Sequence, residues 1–209
     1  MSAARMSRGG RGIGSTAREV TQTRGRRDSS SPPRYSLRMK SVIRDTFNVR
    51  AETFWQDVFF NPEFVKRLYL EGLACDSVEI KDEKLDESNG SGRSRRLLFS
   101  QRLDAPAPIR KLFGETTTME ERGQFDPRAK RWRFEMIPDR MPDKVRITGE
   151  TWVEPVGDDK VERICSVDFG VSIFGVGSLV EKFMASATAE SYVKQAAFTR
   201  AFIAEKKLT

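Results

Sequence analysis

The segment from Val145 to Ile203 constrains the fold of this chain more than any other. Two runs with strand alternation, 144–154 and 160–171, flank the turn Pro155-Val-Gly-Asp-Asp159. They lead into an apolar, glycine-punctuated stretch, Phe169-Gly-Val-Ser-Ile-Phe-Gly-Val-Gly-Ser178, and then into one long amphipathic run ending near Lys206. At about 100° per residue, Val180, Phe183, Met184, Ala187, Ser191, Phe198 and Phe202 share one helical stripe. The stripe is bulky at both ends and small or polar in its middle, with Lys194 and Gln195 at its margins. An antiparallel sheet with one apolar face needs a cover, and here a single helix is left to supply it. The middle of that helix either spans a cavity, where Ala187, Ser191 and Lys194 give room and polar contacts, or packs closely with Lys194 reaching to water. Ser178-Leu-Val-Glu181 has the spacing of a capping box, so the helix is expected to start there. Gly175 and Gly177 read as a turn between sheet and helix; two spaced glycines beside Glu181 make a poor phosphate cradle.

Upstream, Ile43, Asp45, Phe47 and Val49 share one parity, a first strand with a single polar residue on its apolar side. Phe54, Trp55, Val58 and Phe59 then cluster at helical spacing. Asn61-Pro62-Glu63 signals a restart: a capping side chain, a proline suited to the first helical position, and an acid in the first turn. This second helix, carrying Phe64, Val65, Leu68 and Tyr69, is expected to stop before Gly72. Strand runs follow at 74–85 and 93–103 around Glu87-Ser-Asn-Gly-Ser-Gly92, and at 116–125 and 130–137 around Asp126-Pro-Arg-Ala129. Trp132, Phe134 and Met136 alternate with Arg131, Arg133 and Glu135, which predicts one buried and one solvated face. Trp152 has the opposite parity to Ile147 and Val153 and is expected on the outer face. Among Glu120, Glu121, Arg122, Glu150 and Asp168, most should be solvated, and one that points inward would lend the interior polarity or acid–base capacity.

With 209 residues, 38% of them hydrophobic, the chain can build one domain of ordinary size plus a tail. Its formal charge of +7 is unevenly placed: residues 1–40 hold 10 Lys or Arg against 2 acids, and the rest holds 27 against 28. The expected division is a disordered basic tail, 1–40, and a folded domain, 41–209. A near-neutral domain has no electrostatic footprint for a phosphate backbone, so nucleic acid is a partner only through the tail, if at all. Arg8-Gly-Gly-Arg-Gly12 and Arg24-Gly-Arg-Arg27 fit weak RNA contact, a transit peptide, a nuclear localisation patch or a solvated tail without a partner. Histidine is absent, which removes the commonest general base and metal ligand and every Ser-His or Cys-His pair. No metal, cofactor or catalytic constellation is therefore expected, and any catalysis would rest on Asp, Glu, Lys, Tyr or Cys. Cys75 and Cys165 read as reduced, buried thiols, and Asn89-Gly-Ser91 as a turn. The longest uncharged run, Phe169–Val180, has 12 residues against the roughly 20 needed to cross a bilayer. An intracellular monomer is expected, cytoplasmic, or organellar if the tail is a transit peptide.

The order of one strand, two short helices, six strands and a long helix resembles the START-like (SRPBCC) helix-grip superfamily, whose members include the birch pollen allergen. The carrying segments are Phe47-Asn-Val-Arg-Ala-Glu-Thr-Phe54, Asp104-Ala-Pro-Ala-Pro-Ile-Arg-Lys-Leu-Phe-Gly114, Gly149, and above all Val171-Ser-Ile-Phe-Gly-Val-Gly-Ser-Leu-Val-Glu181. The last is similar to the strand-to-helix junction of START-like domains of unknown function common in actinobacteria, although Ser172-Ile-Phe174 and Ser178-Leu-Val180 are bulkier. The resemblance covers about residues 41–205. It implies an α+β fold: a curved seven-stranded antiparallel sheet, two short helices after strand 1, and a long C-terminal helix closing a cavity. It implies binding or transfer of a lipid or other hydrophobic small molecule, with Phe99, Trp132, Phe134, Met136, Phe183, Met184, Ala187, Ser191 and Lys194 at the ligand. Superfamily members also include cyclase- or dehydratase-like enzymes, and a third alternative is an interaction protein whose Arg-Gly tail holds RNA or a protein. Ile109, Arg110, Lys111, Leu112 and Phe113 would then form a rim that either touches an anionic membrane transiently or packs over one end of the sheet.

Overall fold

The computed structural model describes residues 37–86 and 92–208. The expected tail up to residue 36, and the loop 87–91 with its Asn89-Gly-Ser91 turn, lie outside the described residues. Strand β1 (Leu37–Phe47) is followed by helix α1 (Ala51–Thr53), which widens into a π-helical turn at Phe54–Phe59. Helix α2 (Pro62–Arg67) likewise runs into a π-helical turn at Leu68–Gly72. Then come β2 (Ser77–Asp86), β3 (Gly92–Arg102), the short helix α3 (Ala107–Phe113), β4 (Thr116–Asp126), β5 (Arg131–Pro138), β6 (Val145–Pro155), β7 (Val161–Val171) and helix α4 (Gly177–Lys206). The seven strands form one sheet in the order β1-β7-β6-β5-β4-β3-β2, every neighbouring pair antiparallel. This is the α+β helix-grip architecture.

Strand β1 starts four residues before the expected domain boundary at 41. Leu37–Lys40 pair with Asp168–Val171 of β7, so the backbone ladder orders a segment whose side chains gave no such signal. The restart at α2 is as expected: the Asn61 carboxamide oxygen accepts from the N–H groups of Glu63 and Phe64 at 2.9 and 3.2 Å, a cap worth about 1 kcal/mol. The two π-helical turns place Phe54, Trp55, Val58, Leu68 and Tyr69 on the buried side.

The start of α4 departs from expectation. Val176 takes the N-cap position and Gly177 is the first helical residue, which puts Ser178 inside the first turn, exposed. Glu181 falls two positions beyond where a capping-box acid must stand, and it turns inward instead. The C-terminal end of α4 is anchored to α2: Arg67 pairs with Glu205 at 2.8 Å and Lys206 with Glu63 at 2.8 Å, over an edge-to-face contact of Phe64 with Phe202. The exposed ion pairs add little singly; the burial of Phe202 and Ile203 beneath them is the larger effect.

Two glycines shape the concave face. The Trp132 ring lies across Gly123 and the Phe134 ring across Gly149, so closely that a Cβ there would stand 1.9 Å from Trp132 Cζ2 and 2.4 Å from Phe134 Cζ. Laying large rings flat over bare backbone lets the sheet curve while the space under α4 stays open.

Candidate functional site

Between the concave face of the sheet, α2, α3 and α4 lies a cavity of about 760 Å³. Inward parity accounts for its sheet wall: Phe99 of β3, Met119 and Glu121 of β4, Trp132, Phe134 and Met136 of β5, Ile147 and Thr151 of β6, and Arg163, Val167 and Phe169 of β7 all line it. Helix α4 roofs it with Val180, Phe183, Met184, Ala187, Ser191 and Tyr192. Every one of the nine expected residues, from Phe99 to Lys194, stands on this wall, with Lys194 at its exposed margin. The bulky ends of the α4 stripe seal against the sheet: Val180 and Phe202 are buried, while Ala187 and Ser191 between them are only half-buried. Trp152 lies on the outer face as expected, under the Arg131 guanidinium at 4.1 Å.

Of the two readings of the rim segment, its apolar residues follow the packing one. The segment is helical, and Ile109 and Phe113, four residues apart, share the face turned to the cavity and are buried. Only Lys111 is exposed; Arg110 and Leu112 are half-buried, and Arg110 Nη1 donates to the Ala105 carbonyl at 2.8 Å. Ile109 and Phe113 are thus part of the wall.

Two buried guanidinium–carboxylate pairs stand among the apolar groups, and sequence reasoning found only one of their four members as a candidate. The first centres on Glu121, the inward-pointing acid of β4. Tyr69 Oη donates to its Oε2 at 3.0 Å, and Arg95 of β3 approaches Oε1 at 3.5 Å while donating to the Phe59 carbonyl at 3.2 Å. The Arg95 guanidinium lies between the rings of Phe59 and Trp132, 5.4 and 5.1 Å away. In the second, Arg163 Nη2 donates to Asp45 Oδ2 at 2.5 Å, with the guanidinium between Phe47 and Tyr192 at 5.2 and 5.1 Å. Both arginines sit at inward strand positions, Arg95 in line with Leu97 and Phe99, Arg163 with Cys165 and Val167. Parity was the signal that could have found them.

Beside Arg163, the Tyr192 hydroxyl and Cys165 Sγ are 2.6 Å apart, and Thr151 donates to the same sulfur at 3.3 Å. Burial pushes the Cys165 thiol and the Tyr192 and Tyr69 phenols up from their ordinary values, so all three are held in the protonated, donor form. Cys165 and Cys75 are both buried and unpaired, and burial raises Cys75 to about 11. Neither thiol has the electropositive, exposed surroundings of a reactive one.

Glu181 is a further buried acid, 6% exposed, at the start of α4. Desolvation raises its pKa despite a hydrogen bond from the Val171 N–H, and its Oε1 has no partner among the described residues. An acid whose native pKa exceeds its unfolded value holds its proton more tightly when folded, so its contribution to stability improves as pH falls through the native pKa. Glu181→Gln keeps an acceptor for Val171 and removes the buried charge. It is expected to raise stability at pH 7.5 by about 1 kcal/mol, with the gap to wild type closing by about pH 4. Urea midpoints at the two pH values measure it, and the absence of a gap at pH 7.5 would show that Glu181 is solvated.

The outer face carries a second hollow of about 760 Å³, and most of the charged side chains at its centre are matched to one another. Glu120 lies between Arg122, 2.7 Å away, and Arg96, and their guanidinium groups pull its carboxyl down to about 2. Arg133 pairs with Glu150 at 2.8 Å. This is a cross-strand ladder of ion pairs on a more open surface than the inner cavity.

A curved antiparallel sheet gripping a long C-terminal helix around an internal, largely apolar cavity defines a protein of helix-grip fold. Residues 43–203 match the family model described as "Protein of unknown function (DUF2505)", and the chain belongs to that family. A search of curated proteins found no match. Among solved structures, the Zhui aromatase/cyclase from Streptomyces sp. R1128 is similar with a TM-score of 0.60 at 13% identity, over 82% of this chain and 96% of that one. Norcoclaurine synthase from Thalictrum flavum gives a TM-score of 0.54 at 14% identity, over 88% and 98%. A START superfamily protein from Mycobacterium smegmatis gives 0.51 at 13% identity, over 78% and 98%. At these identities the likeness is one of fold. No helix among the described residues is long and apolar enough to cross a membrane.

Proposed function

We propose that this protein binds a lipid or other hydrophobic small molecule between its sheet and α4. The observation that carries this reading is the cavity itself: about 760 Å³, in the range of ligand pockets and lined mainly by aromatic and aliphatic groups with a few convergent polar ones. Burying apolar ligand surface against Phe99, Trp132, Phe134 and Phe183 would drive association at roughly 25 cal/mol per Å² before the costs of immobilisation. Native mass spectrometry of the purified protein tests the proposal, since a retained lipid adds mass that denaturation releases. Ala187→Trp, which fills the middle of the roof, is expected to weaken binding about tenfold or more while leaving the far-UV spectrum unchanged. Equal binding by wild type and variant would place the ligand elsewhere and sink the proposal.

A second reading, a cyclase- or dehydratase-like enzyme, is favoured by one specific feature: Glu121 and Tyr69 form a hydrogen-bonded acid–base pair on the cavity wall. It predicts that Tyr69→Phe retains a bound molecule differing from the wild-type one by the mass of water. Identical bound molecules in the two proteins would count against catalysis.

A further inference from the structure

The apolar cavity accounts for binding but not for which hydrophobic molecules bind, and Arg163 bears on that choice. It is 6% exposed, lines the cavity, and has its guanidinium over the rings of Phe47 and Tyr192. Arginine stays charged in proteins and carries five donors. Among the described residues, the only acceptor for the Arg163 side chain is Asp45, through Nη2, and Nε has none. Asp45 is itself shared, since Arg200 Nη2 also reaches it at 4.0 Å. One carboxylate therefore faces two guanidinium groups.

Glu121, the buried acid of the cavity wall, offers no relief. It is engaged by Tyr69 and by Arg95, and Arg95 too leaves its Nε without a partner. The thiol and phenol nearest to Arg163, Cys165 and Tyr192, are both neutral and hydrogen-bonded to each other, so neither supplies a counter-charge. Glu190, the acid of α4 on the cavity margin, is exposed and takes the Ser186 hydroxyl at 3.4 Å. A buried cation with open donors in a low-dielectric pocket is costly unless an anion or strong acceptor meets it. Charge-assisted hydrogen bonds to a guanidinium are the strong kind, and a carboxylate is the planar partner that matches its fork.

We infer that the cavity selects amphiphiles ending in a carboxylate, with the head group seated on Arg163 and the apolar body lying along Trp132, Phe134 and the α4 roof. Asp45 occupies Nη2 of Arg163 alone, which leaves Nε and Nη1 as donors for one further carboxylate. The polar margin of α4, Ser191, Gln195 and Lys194, stands along the cavity wall where a second carboxylate oxygen can be solvated. This rests on the ligand-binding reading above and adds the head-group chemistry to it.

The test compares palmitate, hexadecanol and methyl palmitate, which share a chain and differ at the head, by calorimetry with tryptophan fluorescence as a second readout. Wild-type protein is expected to bind palmitate about tenfold or more tightly than the other two, a difference of about 1.4 kcal/mol. Arg163→Gln alone leaves Asp45 unmatched and is a risk to folding, so Asp45→Asn/Arg163→Gln is the informative variant, its fold checked by circular dichroism. The double variant is expected to lose the preference for palmitate while keeping its affinity for hexadecanol. Equal binding of the three probes by wild type, or a preference that survives in the double variant, overturns the inference and leaves the ligand-binding proposal standing. Absence of binding by all three, with no lipid retained from the cell, overturns both.

Discussion

Glu121→Leu is expected to cost this protein about 3 kcal/mol of stability, because it leaves the Arg95 guanidinium buried without its counter-charge. The pair is well enclosed: the side chains of Arg95 and Glu121 are only 6% and 9% exposed. The figure is at the lower end of the range for a broken buried pair, because the cavity beside it admits water. Arg95→Met strands the opposite charge and should cost a similar amount. The double variant Arg95→Met/Glu121→Leu removes both charges and keeps the volume, and it is expected to recover most of the loss. Tyr69 would then lack its acceptor, which accounts for a residual cost of about 1 kcal/mol. Urea unfolding followed by tryptophan fluorescence reads all three. Near-neutral single variants would mean that the guanidinium reaches solvent through the cavity, and the picture of a closed polar pair in an apolar wall would be wrong.

Gly123→Ala is expected to be nearly as damaging, at about 3 kcal/mol, the upper part of the range for overpacking. The added methyl would occupy space now filled by the Trp132 ring, at 1.9 Å from Cζ2, and that ring is 1% exposed and wedged against Phe59 and Phe60. Relief requires either a shift of β4 away from β5 or rotation of Trp132 into the cavity, and the second would also obstruct the ligand. Trp132→Leu creates a void of its own, yet in the Gly123→Ala background it removes the clash. The two changes are therefore expected to cost clearly less together than the sum of their separate effects. Thermal melts of the four proteins decide the matter, and additive losses would show that ring and glycine are not in contact.

The distribution of strands, the restart at Asn61 and the single long closing helix were all legible from periodicity and caps. Each is a local property, set within a few residues. Of the nine residues that the resemblance implies at the cavity, those of β5 and α4 were also legible from strand parity and helical spacing, which say which face a side chain is on. Where the reading departed from the structure, a longer-range effect intervened. Leu37–Lys40 form strand because β7 offers them a ladder. Ser178 and Glu181 have the spacing of a cap, but the path of the chain out of β7 starts the helix at Gly177, and the carboxylate turns into the interior. For Ile109 and Phe113 the sequence left membrane contact and packing both open, and the packing of α3 buries them in the wall.

Arg95 and Arg163 show the limit most plainly. Both have inward parity, but an arginine at an inward position is usually a side chain that finds its way to water, and nothing near it in sequence says otherwise. Their partners lie far away along the chain: Asp45 is 118 residues from Arg163, and Glu121 is 26 from Arg95. By itself the sequence determined which residues share a face, where elements start and stop, and hence a sheet gripped by one helix. The tertiary structure alone decided that space remains under the middle of α4, and that two ion pairs are buried within it. Depth and partnership depend on register between strands distant in the chain, and the free energy that sets register belongs to the packed sheet as a whole.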